Sequence, residues 1–257
     1  MRGAARRARL ANSSRLRLAL VSDQHGNDVA FAAALADIER VGVDRIVCLG
    51  DVAQGGAQPA ATLDRLLAVG AKTVLGNADA FLLEIPEDSP EPVTEQMLEV
   101  REWTLSMLDE AHVEQLRSFA PTIELELEGH TIRCFHGSPR SYDDVLIPER
   151  EGASLEPFVA EGSVELLAGG HTHKQWSRRI GEALFVNPGS VGLAYDHHQP
   201  DDDFRISPHA EYAIVFADAL GLSVEFRRIP YSLDALRAAV LASGRPHAEL
   251  YVAQWRE

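Results

Sequence analysis

Aspartate, asparagine and histidine gather in five short segments of the chain: Asp23-Gln24-His25-Gly26-Asn27, Gly50-Asp51, Gly76-Asn77-Ala78-Asp79, His136-Gly137-Ser138 and Gly170-His171-Thr172-His173. Each follows an apolar run of strand length. Singly they say little, because a histidine after a strand is usually a hydrogen-bonded structural residue and Gly50-Asp51 alone passes for a turn. Together they supply carboxylate, amide and imidazole donors, a mixture that suits divalent first-row metals and serves calcium poorly. Asp23, His25, Asp51, Asn77, His136, His171 and His173 are more donors than one four-coordinate ion uses. Two ions about 3.5–4 Å apart that share one carboxylate would use them all, and Asp51 is the natural shared ligand. An extended His171-Thr172-His173 segment would throw both imidazoles to one side, with Gly170 letting the backbone come close.

Donors this far apart in sequence meet only if the strands before them end at one sheet edge. From Leu16 the chain reads as strand Leu16–Ser22, a helix through Phe31, Leu35 and Ile38, strand Arg45–Leu49, a helix through Leu63, Leu66 and Leu67, and strand Lys72–Leu75. This alternation predicts parallel β-α-β units with functional loops at the carboxyl ends of the strands. Residues 84–121 begin acidic and proline-bearing and continue with Met97, Trp103, Leu105, Leu108 and Leu116, which predicts an inserted helical cap with Trp103 in its core. Thr122–Leu127 and Thr131–Phe135 flank Glu128-Gly129-His130 as the arms of a hairpin. After a loop and a short helix, strands are expected at Val164–Leu167, Gln175–Ile180, Ala183–Val186, Tyr212–Ala217 and Leu222–Ile229, then a helix over Ser232–Ser243. The simplest assembly is an α/β sandwich of two sheets with helices outside, formed by residues 15–257.

A formal charge of −15 argues against a protein that grips nucleic acid through its phosphates. A small phosphorylated substrate is compatible with it, since bound cations reverse the local potential of an acidic protein. No apolar run approaches the roughly 20 residues of a membrane helix. Cys48 and Cys134 lie in strand-like runs and read as buried thiols, which points to the cytoplasm. The first 22 residues hold six arginines and no acid but lack the apolar core of a secretory signal, so 1–14 is expected to be a disordered Arg-rich tail. Nothing in the sequence sets the oligomeric state.

The ordered set D-x-H, GD, GN-x-D, H-G and GHTH resembles the calcineurin-like metallophosphoesterase superfamily. Ser22-Asp23-Gln24-His25-Gly26-Asn27, His136-Gly137-Ser138-Pro139-Arg140 and Asn187-Pro188-Gly189-Ser190-Val191-Gly192 resemble its small single-domain bacterial and archaeal phosphodiesterase-like branch, a match running from Leu16 to Ile229. The resemblance implies a four-layer sandwich of two mixed β-sheets flanked by helices. It implies one metal on Asp23, His25 and His173, another on Asn77, His136 and His171, and Asp51 between them, with Asp51, Asn77 and His136 as the catalytic set. The ions implied are divalent transition metals, manganese first, with iron, zinc, nickel or cobalt as alternatives. The reaction implied is hydrolysis of a phosphodiester or phosphomonoester by a hydroxide that bridges the metals. A phosphopeptide phosphatase and a non-catalytic metal-binding regulatory module are the competing functions. The complete donor set favours turnover, and the acidic composition with a cap favours a small substrate.

Many superfamily members have histidine after the asparagine, near the leaving group; here Ala78 stands there, so that proton donor is missing. Arg140 is expected to clamp phosphate, with an exposed surface arginine as the alternative. Asn27 and Asp79 are expected to support the ligands or a bound water, with a turn or helix cap as the alternative for Asn27. Asn187–Gly192 reads as a structural loop packed under the site.

Overall fold

The computed structural model describes residues 15–86, 92–148, 164–195, 198–200 and 203–255. The expected Arg-rich tail and the short helix expected before Val164 lie outside the described residues.

Strand β1 (Leu16–Val21) is apolar at successive positions because it is buried on both faces: Leu18 and Leu20 enter one core, Ala19 and Val21 another. It runs parallel to β2 (Arg45–Cys48), which pairs with β3 (Lys72–Thr73). The second sheet contains the hairpin of β4 (Ile123–Leu127) and β5 (His130–Cys134), then β6 (Val164–Ala168), with β8 (Ala183–Pro188) between β6 and the edge strand β7 (Gln175–Ile180). The hairpin turns through left-handed Glu128 and Gly129. The first sheet is completed by β9 (His209–Asp218), antiparallel to β1, and β10 (Gly221–Pro230) beyond it. Among the described residues each sheet has five strands and mixes parallel with antiparallel pairing.

The core between the sheets joins Leu18, Leu20, Val47 and Leu49 to Ile132, Leu166 and Val186. On the outer face of the first sheet, Phe31, Ala34 and Ile38 of α1 (Asp28–Val41) and Leu63 and Leu66 of α2 (Pro59–Ala68) pack in one cluster with Tyr212 and Ile214. Leu67, expected on that buried face, instead points outward and is 67% exposed, because it lies about 100° around the helix from Leu66. Cys48 and Cys134 are buried free thiols, each pushed up to about 12 by burial. No helix of the described residues is long and apolar enough to cross a membrane.

The third strand is shorter than the sequence suggested, and a helix that was not expected, α3 (Asn77–Leu83), follows it. Residues 84–121 hold two helices, α4 (Glu95–Ser106), capped by Thr94, and α5 (Glu110–Arg117), capped by Asp109, whose side chain accepts the His112 N–H. Arg101 of α4 donates to the carbonyls of Phe81 and Leu82 at the end of α3, at 2.6 and 2.9 Å. Gln115 of α5 donates to Leu63 O at 3.0 Å, so this helix leans on α2. Trp103 is half-buried. Two further helices, α6 (Leu233–Ala242) and the unexpected α7 (Ala248–Val252), close the chain.

Candidate metal centre

Where β1, β2 and β6 end, the backbone leaves its sheet through left-handed residues: Asp23 (φ 56°), His25 (48°), Asp51 (58°), His171 (67°) and His173 (54°). Glu128 and His247 are the only other non-glycine residues in that region among those described. Each such residue costs about 1–3 kcal/mol and persists only where its surroundings over-determine it. Here they do. Asp23 and His25 donate their N–H groups to Gly50 O and Asp51 O, both at 2.9 Å, lacing the β1 loop to the β2 loop. Across the sheets, the His171 N–H reaches Asp23 Oδ2 at 3.2 Å and the Ser190 hydroxyl donates to Asp23 O at 2.8 Å. Two glycines are required by close approach: a Cβ on Gly76 would overlap Asp51 Oδ1, and one on Gly170 would overlap Ser22 Oγ.

This folding gathers two clusters, Asp23 with His25 and His173, and Asp51 with His136 and His171, each with its donor atoms within 4.8 Å of one another. Asp51 Oδ2 lies 3.2 Å from His136 Nε2 and 3.6 Å from His25 Nε2, so one carboxylate oxygen faces both. Asn77 Oδ1 is 2.9 Å from His136 Nε2. Three imidazoles are held through Nδ1: His25 on Gln54 O at 2.9 Å, His136 on Leu49 O at 2.7 Å and His173 on Leu193 O at 2.9 Å. A carbonyl only accepts, so Nδ1 carries a proton and Nε2 is the nitrogen turned inward, available to a metal once it is free of its own proton. The Nε2 atoms of His25 and His173 consequently face each other at 3.2 Å, and the buried Asp23 Oδ1 lies 3.3 Å from His173 Nε2.

Burial would push the Asp51 carboxyl up, but His136, His25 and His171 around it hold it below the ordinary aspartate range. Asp23 is lowered in the same way against its burial, by His173 and His136. Burial lowers His171 to about 4, helped by the neighbouring His136. The carboxylates are therefore ionised and His171 neutral at neutral pH, the states that metal ligation needs, whereas against their burial Asp51 pushes His136 up to about 10 and Asp23 raises His173, so ligation there would release protons.

Residues 16–205 match the calcineurin-like phosphoesterase superfamily domain, a span that holds all seven donors. The chain belongs to that superfamily. Uncharacterized protein MJ0912 of Methanocaldococcus jannaschii is 26% identical over 246 residues, covering 89% of this chain and 93% of that one. The metallophosphoesterase of Sphaerobacter thermophilus shares the fold with a TM-score of 0.68 at 23% identity, covering 94% of this chain and 98% of that one. The hypothetical protein PH1004 of Pyrococcus horikoshii OT3 does so at 0.76 and 17%, with the same coverage.

Within this calcineurin-like fold the expected donors come together, although not by the expected local geometry. His171-Thr172-His173 is not extended: Thr172 N–H turns back to Gly170 O at 2.8 Å and both histidines are left-handed, which sends His171 to the Asp51 cluster and His173 to the Asp23 cluster. Asn27 caps α1 through the Ala30 N–H at 3.0 Å while its amide donates to Gly192 O at 3.0 Å, so it ties the first loop to the Asn187–Gly192 loop. That loop does lie under the site: Asn187 donates to Gly170 O at 2.7 Å and to Thr172 Oγ1 at 3.0 Å. Arg140 is exposed on the loop after His136, its N–H donating to Ser138 Oγ at 3.1 Å.

A cleft of about 510 Å³ opens beside Asn77 and His171, walled by Ala78, Phe81, Met97 of α4, Tyr142 and Asp143. Sequence reasoning did not single out Asp143, whose half-buried carboxyl is pushed up by burial. It also missed the carbonyls of Leu49, Gln54 and Leu193 that orient the imidazoles. Backbone acceptors leave no residue signature.

Proposed function

We propose that this chain is a dinuclear metal-dependent phosphoric ester hydrolase acting on a small phosphodiester or phosphomonoester. The observation that carries the proposal is the pair of donor clusters faced by the single oxygen Asp51 Oδ2. The residues fit a cation pair: the carboxylate oxygens Asp23 Oδ1 and Asp51 Oδ2 are buried among inward-turned imidazole nitrogens, and His25 Nε2 and His173 Nε2 lie only 3.2 Å apart, a crowding of donor atoms that a bound cation would hold together. Asp23, His25 and His173 would hold one ion, Asn77, His136 and His171 the other, and Asp51 both, with manganese first among the divalent transition metals. Such ions supply Lewis acidity to a phosphoryl oxygen and to the attacking water.

The chain's own residues orient this chemistry. Backbone carbonyls set the tautomers of His25, His136 and His173. Asp79 anchors the Asp51 loop by its backbone N–H groups. Phe81 and Met97 give the cleft an apolar wall for an ester substituent, which makes α4 part of a cap over the site. Ala78 in the same wall offers no proton to the leaving oxygen. Arg140 is the candidate phosphate clamp outside the clusters. Buried, unpaired Cys48 and Cys134 support a cytoplasmic setting.

The test is turnover of phosphomonoesters, diesters, nucleotides and phosphopeptides by manganese-loaded protein of measured metal content. Small esters should be hydrolysed and chelation should abolish the activity. Two bound ions with no turnover of any ester would favour a metal-binding module instead.

A further inference from the structure

A second cleft, about 930 Å³, opens at His173, where the ends of β9 and β10 meet the start of α6. In a chain of formal charge −15, its walls carry Lys174, Arg205, Arg228 and Arg237 against the carboxylates Glu211 and Asp234. Strand register explains part of this. Arg228 stands directly opposite Glu211, with its Nε 3.4 Å from the carboxylate and its Nη2 donating to Ser207 Oγ at 2.7 Å. Arg227, next along the strand, points to the other face and is held by Asp37, so alternation leaves Arg228 for the cleft. Arg237 is steadied by Trp255 O at 3.3 Å. Ser232 and Leu233, at the start of the ten-residue α6, also line the cleft, and the positive end of a helix dipole favours an anion there. His173 belongs to this wall and to the Asp23 cluster, so the cleft adjoins the metal centre across that imidazole.

We propose that this cleft is a phosphate-binding subsite for a second, anionic arm of the substrate whose scissile ester sits at the metal centre. The substrate class is then a phosphoric ester with a further phosphate on the arm that lies along Arg228 and Arg237. The substrate part of this assignment rests on the hydrolytic reading above; the anion site does not. A guanidinium pair fixed by hydrogen bonds suits phosphate oxygens better than loose ammonium groups.

The test compares the full chain with the double variant Arg228→Gln/Arg237→Gln, with Arg228→Lys as a charge-retaining control and melting temperature as the check on folding. Pyrophosphate binding to the metal-free proteins, read by calorimetry and by backbone NMR shifts around Ser232, should weaken at least about tenfold in the double variant and by a smaller factor in Arg228→Lys, which keeps the charge but not the fork of donors. In manganese-loaded protein, kcat/KM for bis(p-nitrophenyl) phosphate should stay unchanged, while KM for an aryl phosphodiester with a terminal phosphate on its other arm should rise about tenfold at constant kcat. Equal pyrophosphate binding by wild type and a folded double variant overturns the subsite. Lost binding without the KM difference overturns its role in substrate recognition. Lost binding in proteins that hydrolyse no ester refutes the hydrolytic reading and leaves the anion site standing.

Discussion

The Asp79 carboxylate lies against the backbone of Asp51, accepting its N–H through Oδ2 at 2.8 Å, and that of Val52 through Oδ1 at 2.9 Å. Because Asp79 sits in the first turn of α3 and Asn77 begins that helix, one side chain sets the spacing between two proposed ligands. In return, the Ala78 N–H donates to Asp51 Oδ1 at 2.8 Å. Asp79→Ala should therefore weaken metal binding by about 10–100-fold, as loss of a ligand-orienting partner typically does. Competition with a chromogenic chelator measures this. Unchanged affinity would remove Asp79 from the centre's support.

Metal stoichiometry tests the shared ligand. Loaded and desalted wild type should retain two transition-metal ions per chain by mass spectrometry, and Asp51→Asn should lose at least one together with about two orders of magnitude of activity. A single ion in wild type, or near-normal turnover in the variant, would contradict a bridging Asp51.

The alanine at position 78 should show in the choice of leaving group. General acid catalysis is worth about 10²–10⁴ in rate, so aryl esters should react far faster than alkyl esters, with a steep dependence of log rate on leaving-group pKa. Ala78→His should flatten that dependence, since the position lines the cleft beside Asn77 and His171. A shallow wild-type slope in single-turnover measurements, with chemistry rate-limiting, would mean that a donor is already present. Asp143 in the same wall is then the residue to substitute.

Acid stability should depend on Asp37. Burial would push its carboxyl up, but the Tyr212 hydroxyl at 2.6 Å, Arg40, and Arg227 at 2.8 Å hold it below the ordinary value. A depressed carboxylate adds stability above its unfolded pKa of about 3.9, and that stability is lost as pH falls through the lower folded value. Asp37→Asn should cost about 2 kcal/mol at neutral pH and flatten the decline of stability below about pH 4. Urea melts from pH 2 to 7 test this; parallel curves for the two proteins would rule it out.

Some of this architecture was legible in the chain and some was not, for physical reasons. Strand β1 and the helix α1 announce themselves because burial on two faces and on one leaves periods that can be read. Metal-type donors are legible because their side chains are chemically distinctive. The helix α3 is not, since Gly76-Asn77-Ala78-Asp79 looks like a turn and only seven residues are helical. The turn at Thr172 was hidden for a different reason: it depends on Gly170 O and on contacts across the two sheets. The Arg228 cleft has no local signature at all, because register with β9 places Glu211 opposite that arginine and α6 comes from further along the chain.

The left-handed backbone at Asp23, His25, Asp51, His171 and His173 also bears on how such a protein could change over generations. Apart from glycine, asparagine is the residue that most readily accepts this conformation alongside aspartate and histidine. In the genetic code, every aspartate codon and every histidine codon lies one base from an asparagine codon. Drift at these five positions thus has an open route that keeps the loops folded while removing a carboxylate or an imidazole, whereas β-branched replacements would disturb the loops themselves. A descendant that retained the sandwich and shed its chemistry would be expected to carry asparagines here first.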